Sequence, residues 1–150
     1  VAMFLAEVVM RTMEPDAPHP EVFDALWRAA EALETQVSFA RIHLAFLVEA
    51  VQVQGLRPDA PLLPPLGSGR FNLASADWEA GPPMGDDFLS PSEATAFLRI
   101  QGTKIDEVRS QPLPADVRNR LVLQHVHYLQ LHLSTPKPLR SWDVLRTVLS

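Results

Sequence analysis

Cysteine is missing from all 150 residues. Without a thiol there is no disulfide framework, no cysteine nucleophile and no cysteine-based zinc site. The absence also fits a reducing compartment. Long apolar runs are missing too. The opening run Val1–Met10 is broken by Glu7 and is far shorter than the ~20 residues of a membrane span. It lacks the basic segment and small-residue cleavage site of a signal peptide. Basic side chains are scarce in the first two-thirds: residues 1–98 hold 5 Lys/Arg against 14 Asp/Glu, a balance of −9, whereas residues 99–150 hold 8 against 4, or +4. The first part is a poor surface for phosphate backbones, and the basic last third suits an acidic partner. The plainer reading of both blocks is solvated helix faces.

Apolar residues make up 47% of the chain, enough for one core at a length that buries roughly two-thirds of the unfolded surface. The first residue is Val1 and the opening run already reads as the inside of a helix, so the chain is expected to be a piece of a longer protein. Helical periodicity runs from Val1 to about Met13 and stops at Glu14–Pro20, where three prolines forbid a continuous helix. A second helix opens at Pro20, in the first turn where a missing N–H costs nothing. Its apolar face is expected to carry Val22, Phe23, Leu26, Trp27, Ala30 and Leu33. The third helix, Val37 to Val53, is apolar over most of its circumference, the mark of a bundle centre, and Gly55 can stop it.

Residues 56–89 break the pattern with six prolines and four glycines. The most structure expected there is a short strand or hairpin carrying Phe71, Leu73 and Trp78. Ser90-Pro91-Ser92-Glu93 then spells a helix start, with Ser90 as N-cap, Pro91 at the first helical position and Glu93 closing a capping box. Ala94, Phe97, Leu98 and Ile100 are its buried side, and it stops at Gly102. Lys104–Arg109 adds one or two turns. A fifth helix runs from near Pro114 to about Leu133, with Val117, Leu121, Val122, Val126, Tyr128, Leu129 and Leu133 as core contacts. Beyond Pro138, Ser141 caps a terminal helix with Trp142, Val144, Leu145 and Val148.

No motif for chemistry stands out. Among the five histidines, His125 and His127 point apart and His125 and His132 lie two turns apart, ~10 Å along the axis, too far for one ion. Buried or half-buried hydrogen-bonded histidines are the better reading of His19, His43, His125, His127 and His132. Gly67-Ser68-Gly69 lacks the strand-to-helix context of a nucleophile elbow, and Asp86-Asp87 reads as a solvated pair. Trp27 and Trp142 read as packing residues. Trp78, in the irregular segment, is the candidate for an exposed aromatic that could stack on a base, although only Arg70 stands near it and such sites come with a basic groove.

Several segments in order resemble the C-terminal domain of the bacterial recombination mediator RecO. Phe4-Leu5-Ala6-Glu7-Val8-Val9 is similar to the helix following that family's N-terminal domain, and His19–Leu26 to the proline, acid, hydrophobe and Phe pattern opening its next helix. Tyr128–Leu133 and Leu139-Arg140-Ser141-Trp142-Asp143-Val144-Leu145 resemble its tyrosine-leucine-histidine helix and its closing segment. The resemblance implies a cytoplasmic DNA-repair protein that is not an enzyme in the turnover sense. RecO anneals strands and, with RecR, loads RecA. It binds single-stranded DNA through an N-terminal OB-fold domain expected to be missing here. The helical domain docks the acidic C-terminal tail of single-stranded-DNA-binding protein. One departure is plain: many RecO proteins carry four zinc-binding cysteines after the third helix, and residues 56–89 hold none.

The expected fold is therefore mainly α: one domain over residues 1–150, a bundle of about five to six helices with an irregular insert at 56–89 that stands as a degenerate zinc-finger region with a short hairpin. No catalytic, cofactor or metal residues are assigned. From charge and periodicity, the candidates for an acidic-tail site are Arg118, Lys137 and Arg140 beside apolar Leu121, Leu139 and Trp142. The alternative is a helical ligand-binding or regulatory domain of an unrelated protein, with a pocket around His43, His125 and Tyr128.

Overall fold

The computed structural model describes residues 2–12, 18–35 and 39–133, together with Ser141 and Thr147. Among the described residues the chain is mainly helical, with α1 (Ala2–Thr12), α2 (Pro20–Thr35), α3 (Phe39–Val53), β1 (Arg70–Asn72), β2 (Asp77–Glu79), β3 (Phe88–Leu89), α4 (Pro91–Gln101), α5 (Ile105–Ser110) and α6 (Ala115–His132). The terminal helix expected around Trp142 lies outside the described residues, as does the start expected for α3 at Val37.

Helix α3 is the axis of the bundle. Every described side chain from Ile42 to Val51 is buried, because α2, α5 and α6 all pack on it and α4 touches it. A helix apolar all round has no solvent face and must be covered on each side. Its end is local: Gly55 adopts φ +68°, the Gly55 N–H donates to the Gln52 carbonyl and the Leu56 N–H to the Val51 carbonyl. That is a Schellman closure, which satisfies the last carbonyls and needs a residue comfortable at positive φ. The one carboxylate inside the buried stretch, Glu49, is held by Arg28 of α2, whose Nε donates at 3.0 Å, and has Arg109 of α5 at 3.8 Å.

Helix α2 keeps Val22, Leu26 and Leu33 of its expected inner face packed on the core but corrects Phe23, Trp27 and Ala30, which are exposed. Val22, Ala25, Ala29 and Ala32 are buried, whereas Phe23 and Trp27 are 58% and 59% exposed. The helix carries apolar residues side by side at 22–23, 25–27 and 29–30, so two stripes about 100° apart share the same period. Periodicity cannot choose between them. Packing can, because an alanine stripe lets the backbones of α2 and α3 approach more closely than a Phe/Trp stripe does.

The irregular insert holds more order than a hairpin. β1 is central in a three-stranded antiparallel sheet of order β2-β1-β3, with Phe71 opposite both Trp78 and Leu89. These three side chains form the buried face. Phe71 meets Trp78 edge-on at 5.4 Å and reaches Phe97 of α4 at 6.3 Å. Trp78 is thus buried, not open for base stacking, and its Nε1–H donates to the Pro61 carbonyl at 2.8 Å. On the other face Asn72 Nδ2 donates to Glu79 at 2.6 Å, Arg70 donates to Glu79 at 3.1 Å, and the Arg70 guanidinium sits 4.0 Å above the Phe88 ring. The Asn72 hydrogen bond first, then Arg70, holds the Glu79 carboxyl below its ordinary value. Helix α6 clamps this unit. Tyr128 donates to the Leu56 carbonyl at 2.6 Å, His127 to Asp87 at 2.6 Å and His132 to the Leu73 carbonyl at 2.8 Å. The insert contains no cysteine and offers no thiolate.

Helix α4 starts as its sequence spells: the Ser90 and Glu93 side chains close a capping box, with Pro91 in the first turn and Gly102 at the end. In α6 the expected core holds, but Gln124 and His125 are buried as well. His125 lies among apolar groups beside Phe97, with ring centroids 4.5 Å apart. Its Nδ1–H donates to the Leu121 carbonyl at 2.6 Å, while Nε2 is left without a hydrogen-bond partner. Burial lowers its pKa from 6.5 to about 4, since a charged imidazolium there would be desolvated.

Two predictions follow from this packing. A Cβ on Gly69 would sit 2.4 Å from the Gly81 carbonyl oxygen, where the Gly69 N–H bonds to Glu79. Gly69→Ala is therefore expected to lower stability by ~2 kcal/mol or more through strain in the sheet, read as a fall in urea midpoint. The unfolded chain protonates His125 near 6.5 and the folded chain near 4. Stability is thus complete above pH 6.5 and is lost as pH falls toward 4, by ~2–3 kcal/mol at pH 4.5. Urea titrations at pH 7 and 4.5 should show a smaller acid loss in His125→Leu than in the parent; equal losses would remove His125 as the source.

Candidate partner-binding groove

Helices α4 and α6 leave a cleft of about 170 Å³ between them, lined by Ser92, Glu93, Ala96, Val117, Arg120, Leu121 and Gln124. The spacing explains it. On α6, residues 117, 120, 121 and 124 follow the three-four step that stacks side chains on one face. On α4, Ser92, Glu93 and Ala96 are short or turned toward the helix start, so the wall is low there. Ala96, Val117 and Leu121 supply apolar surface. Arg120 stands at the rim, its side chain 54% exposed, with Glu93 and Asp116 each at 3.8 Å. These are loose contacts. Exposed ion pairs at that distance are each worth less than about 1 kcal/mol, so an incoming carboxylate can compete for the guanidinium. The Glu93 carboxylate is committed elsewhere through its Oε2, which accepts from the Ser90 hydroxyl and N–H.

The six residues selected from sequence divide sharply. Leu121 is buried at the floor of the cleft. Arg118, on the neighbouring stripe of α6, is half-buried and does not line it. Lys137, Leu139, Arg140 and Trp142 lie outside the described residues. Arg120 and Gln124 were not selected. The signal was present in their spacing from Leu121, but the face of α4 that meets them could be chosen only once the helices were docked.

The other chemical candidates resolve into packing. His43 and His125 are fully buried and Tyr128 nearly so. Phe97 stands between the His125 and Tyr128 rings, at 4.5 and 5.4 Å. The Tyr128 hydroxyl, pushed up to about 12 by burial, is occupied as a donor to Leu56. Among the described residues no group of three or more His, Cys, Asp or Glu side chains could hold a metal ion. None of the helices among them is long and apolar enough to cross a membrane. At the far end of the bundle, Ser141 donates through both its N–H and its hydroxyl to Glu7 of α1, the N–H at 2.7 Å.

Residues 1–60 match the family model described as Recombination protein O C terminal. The chain is 28% identical over 152 residues to the DNA repair protein RecO of Phocaeicola vulgatus, an alignment covering 100% of this chain and 62% of the relative. It is 28% identical over 149 residues to the DNA repair protein RecO of Bacteroides fragilis, covering 97% and 60%. No solved structure matches. The chain thus spans about three-fifths of the length of these relatives. A helical bundle with a small antiparallel sheet, similar in sequence to RecO proteins along nearly its whole length, resembles a RecO C-terminal domain.

Proposed function

We propose that the chain serves DNA repair as the protein-contacting domain of a RecO-type recombination mediator, acting through binding and not through turnover. The observation that carries this reading is the alignment with DNA repair protein RecO along the whole chain. In this reading the domain works in the cytoplasm, RecR is one partner, and the acidic C-terminal tail of single-stranded-DNA-binding protein is another. Single-stranded DNA is met mainly by another part of the protein. The α4–α6 groove suits the tail: its carboxylates pair with Arg120 while an apolar side chain settles on Ala96, Val117 and Leu121. Lys137 and Arg140, with Leu139 and Trp142, stay candidates for contacts with the tail.

Titrating a fluorescent acidic tail peptide against the chain tests this. Arg120→Glu is expected to weaken binding at least tenfold, a change of ~1.4 kcal/mol, with Arg118→Glu nearly neutral. If Arg120→Glu and Arg140→Glu both bind like the parent, the groove is not the site. Absence of any tail binding removes the reading. Because the chain carries a net charge of −5, its own affinity for single-stranded DNA is expected to be weak; tight, salt-sensitive shifts in a gel assay would contradict that.

A further inference from the structure

The outward face of α2 reverses the usual order of a surface helix. Its inner stripe is made of small residues, Val22, Ala25, Ala29 and Ala32, and its two largest side chains face solvent. Phe23 and Trp27, one turn apart, stack with ring centroids 6.4 Å apart and planes 25° from parallel. The Trp27 Nε1–H donates to Glu31 at 3.0 Å, which ties the indole to the next turn of the helix. Neither aromatic serves the helix itself, since both residue types have lower helix propensity than alanine or glutamate. Two adjacent, oriented and exposed aromatics are a preorganised contact surface, the kind that marks an interaction site. Helix α1, which packs on α2, exposes Met3 and Met10 as well.

The charges around the pair select its occupant. Glu21, Asp24, Glu31 and Glu34 are all exposed on α2. The helix has one basic residue, Arg28, and its guanidinium is turned to Glu49 of α3. The aromatic face is therefore rimmed by acids with little local compensation. A second copy presenting the same face would set acid against acid, and nucleic acid or an anionic lipid surface is repelled by the same rim. A cationic segment is attracted by the rim, and its guanidinium or ammonium groups find aromatic faces that bind cations. We propose that this face of α2 is a docking site for a basic, apolar-bearing segment of another protein. It is separate from the α4–α6 groove and opposite in charge preference.

The probe is a fluorescein-labelled amphipathic peptide of leucine and arginine, titrated by anisotropy, with a second peptide carrying serine for every leucine. Phe23→Ser/Trp27→Ser is expected to weaken the leucine peptide at least tenfold, and Asp24→Asn/Glu34→Gln severalfold. Asp59→Asn/Glu107→Gln removes the same charge from the insert and α5 and should leave affinity within twofold. Circular dichroism checks that each variant keeps its helix content, and Trp27→Arg alone should repeat the loss. The proposal is overturned if the two charge-neutralised variants weaken equally, if the serine peptide binds as well, or if the aromatic variant binds like the parent. It is equally overturned if a single-stranded oligonucleotide, phosphatidylglycerol vesicles or self-association in sedimentation depends on Phe23 and Trp27. The acidic tail peptide should be indifferent to these α2 substitutions.

Discussion

Everything in the bundle is arranged around a helix with no outside. From Ile42 to Val51 each residue of α3 is buried, so the free energy of removing its side chains from water is gained only when α2, α5 and α6 are all in place. The one charge in that stretch makes the dependence directional. Glu49 accepts from Arg28 of α2 and has Arg109 of α5 nearby. A buried carboxylate stripped of a partner costs several kcal/mol, so α2 and α5 cannot slide along α3 without leaving it exposed to that penalty. Apolar burial drives assembly and Glu49 sets the register.

The same core accounts for the order of an insert that contains no cysteine. In a segment of this length with so many prolines and glycines, local structure supplies little cohesion. Cohesion comes from Phe71, Trp78 and Leu89 on one face of a small sheet that leans on Phe97 of α4. Donors from α6 then reach three separate points of the segment, the carbonyls of Leu56 and Leu73 and the Asp87 carboxylate. A cluster of thiolates around zinc ties a loop to itself. This arrangement ties it to a helix, and so couples its order to the packing of α6.

Much of this was legible from residue order, and the gaps have physical causes. Capping signals are local, which is why Ser90-Pro91-Ser92-Glu93 and Gly55 foretold the ends of α4 and α3 correctly. The all-round apolarity of α3 likewise announced its place. The face of α2 was misread because its apolar residues occur as neighbours, and only docking against α3 chooses alanine over tryptophan. Trp78 falls on the expected hairpin with Phe71, but its burial was not legible, because a lone aromatic among prolines and glycines gives no period. The candidate groove was the least legible of all. Leu121 stood out through its core periodicity, whereas Arg120 lines a groove that α6 makes with α4, and no single segment encodes a groove.

Charge and packing together give the domain two unlike surfaces. The basic last third places Arg120 beside an apolar cleft, where competing acids stand 3.8 Å away. The acidic first part places stacked aromatics on α2, with its lone arginine drawn inward by Glu49. These facts are linked. The ion pair that fixes α2 against α3 also engages the one cation of α2, so the interaction that sets the core bears on the polarity of the surface. Under the two proposals, such polarity would let an acidic segment and a basic one bind at separate places without competing.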